Sequence, residues 1–156
     1  MINNDVLRRL RYALNLNDSA MVDVFAQGRR KVLPEMLEPL LKKEEQDGFA
    51  PLPDDLLNAF LDGLITTRRG KREGAPPPEA PALLTNNVIL RKLKIALELR
   101  DDDVVSILQL ADFRISRGEL SAFFRQRDHK NYRECGDQVV RNFLQGLATK
   151  LRRPGV

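Results

Sequence analysis

The chain repeats itself. Displaced by 83 positions and without a gap, Asn3-Asn4 falls on Asn86-Asn87, Leu7-Arg8 on Leu90-Arg91, Leu10 on Leu93 and Ala13-Leu14 on Ala96-Leu97. The register persists to the far end, where Leu37 meets Leu120, Asp54 meets Asp137, Phe60-Leu61 meets Phe143-Leu144 and Gly63-Leu64 meets Gly146-Leu147. A register that survives across loops marks a duplicated unit, here of roughly 65 residues. A unit that small buries only about 60% of the surface its unfolded chain exposes and is marginal alone. Two such units are therefore expected to pack as a pseudo-symmetric pair, unit one over 1–69 and unit two over 83–153, joined by a linker over 70–82. In that linker Pro76, Pro77, Pro78 and Pro81 remove backbone donors and bar a helix. At about 3.1 Å per extended residue it spans roughly 30 Å. It reads as a semi-stiff spacer, with a segment for a polyproline-reading domain as the alternative.

Each unit reads as four to five short helices, and the fold class as all-α. Val6, Leu7, Leu10, Ala13 and Leu14 recur at helical spacing, as do Ile89, Leu90, Leu93, Ala96 and Leu97. Asn3 or Asn4 is placed to cap this first helix through its side-chain oxygen. Asp18 and Asp101 stand where a second helix begins, since a carboxylate there satisfies free amide donors. The third helix opens at Pro34 in unit one and at a Ser-x-x-Glu box, Ser116 to Glu119, in unit two. Pro39 is expected to interrupt the unit-one copy. The last helix follows Asp54 or Asp137 and contains Gly63 or Gly146, where a glycine costs about 1 kcal/mol against alanine. Its presence in both units points to a close helix–helix or helix–backbone approach. No segment alternates apolar and polar residues over the length of a strand.

The ionisable residues form no catalytic constellation, and the chain is read as a non-enzyme with no cofactor. His129 and Cys135 are the only soft metal ligands and cannot close a tetrahedral zinc site. No oxyanion-hole pattern accompanies them, and unit one has Leu52 where unit two has Cys135. The acidic runs Glu44-Glu45-Gln46-Asp47 and Asp101-Asp102-Asp103 lack the spacing and turn glycine of a calcium loop. A single cysteine fits a reducing compartment, and Met1 to Asp5 carries no secretory pattern, so a cytoplasmic location is expected. No apolar run has the length of a membrane span, so no membrane partner is expected.

The cations carry more information. The net charge of +4 permits nucleic-acid binding without requiring it. Arg8, Arg9 and Arg11 stud the first helix, and Arg91, Lys92 and Lys94 repeat the pattern. Further clusters lie at Arg29 to Lys31, Arg68 to Arg72 and Lys150 to Arg153. The order of helices in each unit resembles that of the lambda-repressor-like DNA-binding fold, which is helix-turn-helix-like. In unit two the pair would run from Val104 to Arg125 with a tight turn near Ala111-Asp112-Phe113, making 116–125 the recognition helix. Arg114, Arg117 and Ser121 would then face bases, and Arg125, Arg127 and Lys130 phosphates. The matching helix of unit one carries Glu35 and Glu38, with Glu44 and Glu45 after it, and would repel a phosphate backbone.

Taken together, three phrases are distinctive: Asn-Asn-x-x-Leu-Arg-x-Leu-x-x-Ala-Leu in both units, the run from Phe60 to Lys71, and 128–137 in unit two. On these the chain resembles the YehS-like family of bacterial proteins, a tandem domain of unknown function. The resemblance implies a cytoplasmic bacterial protein of two related helical units, and it brings no established activity, substrate or catalytic residue to carry over. A departure from its pattern is Leu52, where a Cys is expected before Pro53-Asp54. The residues thus lead to a regulator that binds DNA or RNA mainly through unit two and the basic first helices. The alternative is a protein–protein adaptor that grips a partner segment between the units.

Overall fold

The structure, a computed structural model, describes residues 1–70 and 83–152. All but Gly70 of the expected linker lies outside the described residues, as does Arg153. Eight helices follow one another, with no strand among the described residues. Unit one holds α1 (Asn3–Ala13), α2 (Asp18–Gln27), α3 (Pro34–Leu41) and α4 (Asp54–Arg69). Unit two holds α5 (Asn86–Ala96), α6 (Asp101–Leu110), α7 (Arg117–Phe123) and α8 (Asp137–Leu151). Each unit therefore has four helices.

Several expected local features differ in the structure. The cap of α1 is Ile2, whose N–H donates to Asp5 Oδ2 at 3.2 Å, and the cap of α5 is Thr85, whose Oγ1 accepts from Val88 N. Asn3 and Asn4 instead lie inside the first turn, so neither caps the helix. Pro39 does not interrupt α3, which runs on to Leu41, because the one donor it removes leaves the rest of so short a helix intact. The Ser116 box forms as expected: Glu119 N donates to Ser116 Oγ at 3.0 Å, and Ser116 N to Glu119 Oε1 at 3.2 Å.

Within each unit the second helix lies across the fourth, and a glycine sets the distance. A Cβ built on Gly63 would stand 1.9 Å from the Val24 carbonyl oxygen, and one on Gly146 1.9 Å from that of Ile107. Between the units the packing is reciprocal. α1 lies on α8 of the other unit, and α4 on α5. The first and last helices thus form a shared layer related by a pseudo-two-fold axis. One continuous core results, with Phe25, Phe60, Phe143, Leu7 and Leu90 fully buried. The third helices sit outside this layer, where their outer faces are free to diverge.

Candidate nucleic-acid interface

Two buried asparagines place the α7 region and its counterpart. Asn87 is almost fully buried, and its amide donates to the carbonyls of Phe123 and Arg133 at 3.0 and 2.8 Å. Its oxygen accepts the Cys135 N–H at 2.9 Å. One side chain so ties the end of α7 to the loop that follows it. Asn4 does the same in unit one, donating to Leu40 and Ala50 and accepting from Leu52. Their neighbours Asn3 and Asn86 hold Asp54 and Asp137, the first residues of α4 and α8, at 2.7 and 2.8 Å. Every polar atom of the two buried amides has a partner, which is the condition for burying them.

On this frame stands a cationic surface around α7. The link from α6 is six residues long, from Ala111 to Ser116, where a tight turn was expected. Asp112 takes a left-handed φ of 57°, Phe113 N donates back to Leu108 O at 3.0 Å, and α6 is closed off before the chain reaches α7. The expected recognition helix over 116–125 is also shorter. It begins at Arg117, ends at Phe123 and leaves Arg125 in the loop, because the carbonyls at its end are drawn to Asn87 and Arg133. Ser116 takes up the third amide of the helix through its hydroxyl and the fourth, Leu120 N, through its carbonyl at 3.0 Å.

Arg114 is exposed and lines an open groove of about 740 Å³ with Ile115, Ser116 and Glu119. Arg125, Lys130 and Arg133 line a second groove of about 500 Å³ on the other side of Glu119. Hydrogen bonds from the Ser116 backbone and hydroxyl hold the Glu119 carboxyl below its ordinary range. Arg117 Nε lies 2.9 Å from Asp102, but both are well exposed, and such pairs are worth little against water. Arg125 donates to Asn131 O at 3.0 Å, and Arg127 is exposed. Ser121 is half-buried and donates to Gly118 O within its own helix.

The first-helix cations are placed otherwise. Lys92 is not on an outer face: its Nζ lies 2.6 Å from Asp62 and 2.7 Å from Asn58, both on α4 of the other unit, and the pair is 15% exposed on each side. Lys94 is paired with Asp101 and sits 4.6 Å over the Phe124 ring, so it closes the α5–α6 corner. Arg91 remains exposed while reaching the Phe124 carbonyl at 3.3 Å. Sequence reasoning missed this division because helical spacing marks which residues share a face, not what lies opposite it.

No group of three or more metal-binding side chains occurs among the described residues. His129 accepts the Asn131 N–H through Nδ1 and shapes the loop. Burial, with the Asp137 charge adding to it, pushes the Cys135 thiol up to about 12. Such a thiol is protonated at neutral pH and is a poor nucleophile. No helix among the described residues is long and apolar enough to cross a membrane.

The family described as "Protein of unknown function (DUF1456)" matches residues 3–70 and again 86–153. The uncharacterized protein YehS of Escherichia coli strain K12 is 45% identical over 150 residues, which is 96% of each chain. No solved structure matches.

Proposed function

The chain belongs to the DUF1456 family of duplicated helical units, and from that premise we propose that it is a non-enzymatic cytoplasmic regulator that binds nucleic acid through unit two. The observation that carries this reading is charge. From 113 to 133, six cations stand against two carboxylates, and Arg125, Lys130 and Arg133 share one groove. Arg114 and Arg117 extend the surface across the start of α7. Lys92 and Lys94 are left out of it, since both are occupied within the fold. Backbone phosphates are the natural ligand of such a surface, with most of the affinity arising from counterion release. The helix-turn-helix likeness adds only an order of elements, and a fold likeness does not carry a function. Gripping a partner segment between the units would require α4 and α5 to part at the Lys92–Asp62 pair.

A mobility-shift assay on random duplex DNA and on total bacterial RNA tests the proposal. Binding should weaken steeply with salt, the logarithm of affinity falling by about 0.9 per phosphate neutralised on duplex DNA. Arg114→Glu with Arg117→Glu should abolish the shift at about 0.1 M salt, while Arg30→Glu with Lys31→Glu in unit one should matter less. A parent protein that shifts neither polymer at about 50 mM salt would overturn the reading.

A further inference from the structure

The two third-helix faces are opposite in charge and matched in backbone. Between 33 and 50, five carboxylates stand against two lysines; between 116 and 133, at the equivalent positions, five cations stand against two carboxylates. The loops dock alike, with Ala50 N on Pro39 O at 3.1 Å and Arg133 N on Ala122 O at 3.2 Å. The residues around the unit-two groove therefore have direct counterparts: Met36 for Glu119, Asp47 for Lys130, Glu44 for Arg127. The acidic face also carries apolar anchors. Leu33 and Met36 are 42% and 45% exposed and stand where unit two has the polar Ser116 and Glu119. Paired large apolar side chains at the surface, one of them an adaptable methionine, suit an interface.

We propose that this chain associates head to tail, the α3 face of unit one in one copy docking on the α7 face of unit two in the next. A second copy is the occupant because both complementary surfaces are present on this one chain. Glu44 and Asp47 meet the cations that line or flank the groove, and Leu33 and Met36 lie against Ile115 and the aliphatic stems around Glu119. The contact is heterologous, so each added copy leaves an α3 face and an α7 face free, and growth does not stop at a dimer. It uses the cations assigned above to nucleic acid, but does not rest on that assignment.

Sedimentation of the nucleic-acid-free full chain reads this directly. At about 50 mM salt the weight-average mass should at least double between about 10 µM and 1 mM, and fall back to the monomer at about 0.5 M salt, where screening is short-ranged. Glu44→Arg with Asp47→Lys should keep the chain monomeric. Adding Arg127→Glu and Lys130→Glu to that variant should restore association, because the complementarity is then reversed rather than lost. All four residues are exposed, and circular dichroism checks that each variant folds. Met36→Glu, which introduces the unit-two residue, gives a second, independent loss. A parent that stays monomeric at 1 mM and about 50 mM salt, association that survives the one-sided variant, or failure of the four-residue exchange to restore it would each overturn the proposal. Because no nucleic acid is present, this outcome and that of the mobility shift are read separately.

Discussion

The α3 region of unit one and the α7 region of unit two share a buried frame and differ in nearly everything exposed. Beneath both, an asparagine makes three hydrogen bonds to equivalent backbone groups. Above them, Leu33 faces Ser116 in the register, Met36 Glu119, Glu44 Arg127 and Asp47 Lys130. Arg30 is drawn to Asp55 at 3.0 Å, whereas the next cation along, Lys31, has its counterpart in the exposed Arg114 of a groove wall. Duplication supplies an internal control. In these two regions the buried asparagine frame is kept, while most of the exposed positions change. The kept residues include the two asparagines and the aspartate that each neighbouring asparagine holds, while the changed ones exchange apolar for polar side chains and negative for positive charge.

This contrast can be broken most sharply at its shared base. Asn4→Ala and Asn87→Ala should each cost about 3 kcal/mol, since each leaves buried backbone groups without partners. Equal costs by chemical denaturation would confirm one frame under two faces; a cost in only one unit would show that the copies have diverged inside as well.

A smaller, unequal effect is expected at the seam between the units. Lys92→Ala strips Asp62 and Asn58 of a cation in a half-buried setting and should cost about 1–2 kcal/mol. At the related place on the α1–α8 side the register sets Arg9 against Arg141 and Gln145, with no carboxylate, and Arg9 is exposed. Arg9→Ala should therefore stay within about 0.5 kcal/mol. A Lys92→Ala variant as stable as the parent would show that the seam does not depend on this pair.

A small effect at neutral pH concerns Cys135, the counterpart of Leu52. Its thiol is raised from 9.0 to about 12 in the fold, so the native state holds the proton longer than the unfolded chain does. The sign follows: its contribution is fully present below about pH 9 and is lost as pH rises toward 12. Cys135→Leu should leave stability at pH 7 within about 1 kcal/mol and reduce the alkaline decline. A thiol reagent at pH 8 should react with the native parent far more slowly than with the unfolded chain; equal rates would contradict the burial.

The repeat, the all-α class and most helix starts were legible in the sequence because they rest on short-range chemistry. Periodicity of 3.6 is visible in Leu7, Leu10 and Leu14; a carboxylate at Asp18 or Asp101 marks a first turn; a serine three residues before Glu119 marks a cap. Glycine at 63 and 146 even announced a close approach, since nothing within its own helix favours it there. The roles of Asn4, Asn87 and Lys92 were not legible. Each looks local, as a cap or as one of a row of cations, yet their partners lie between 30 and 48 residues away. Likewise α7 ends at Phe123 because distant groups claim its last carbonyls, which no residue from Phe124 to Arg127 announces. The sequence by itself determined which segments are helical and that they come twice. Only the tertiary structure decided which polar side chains face inward, because a buried amide or ammonium is tolerated only where folding brings a partner to it.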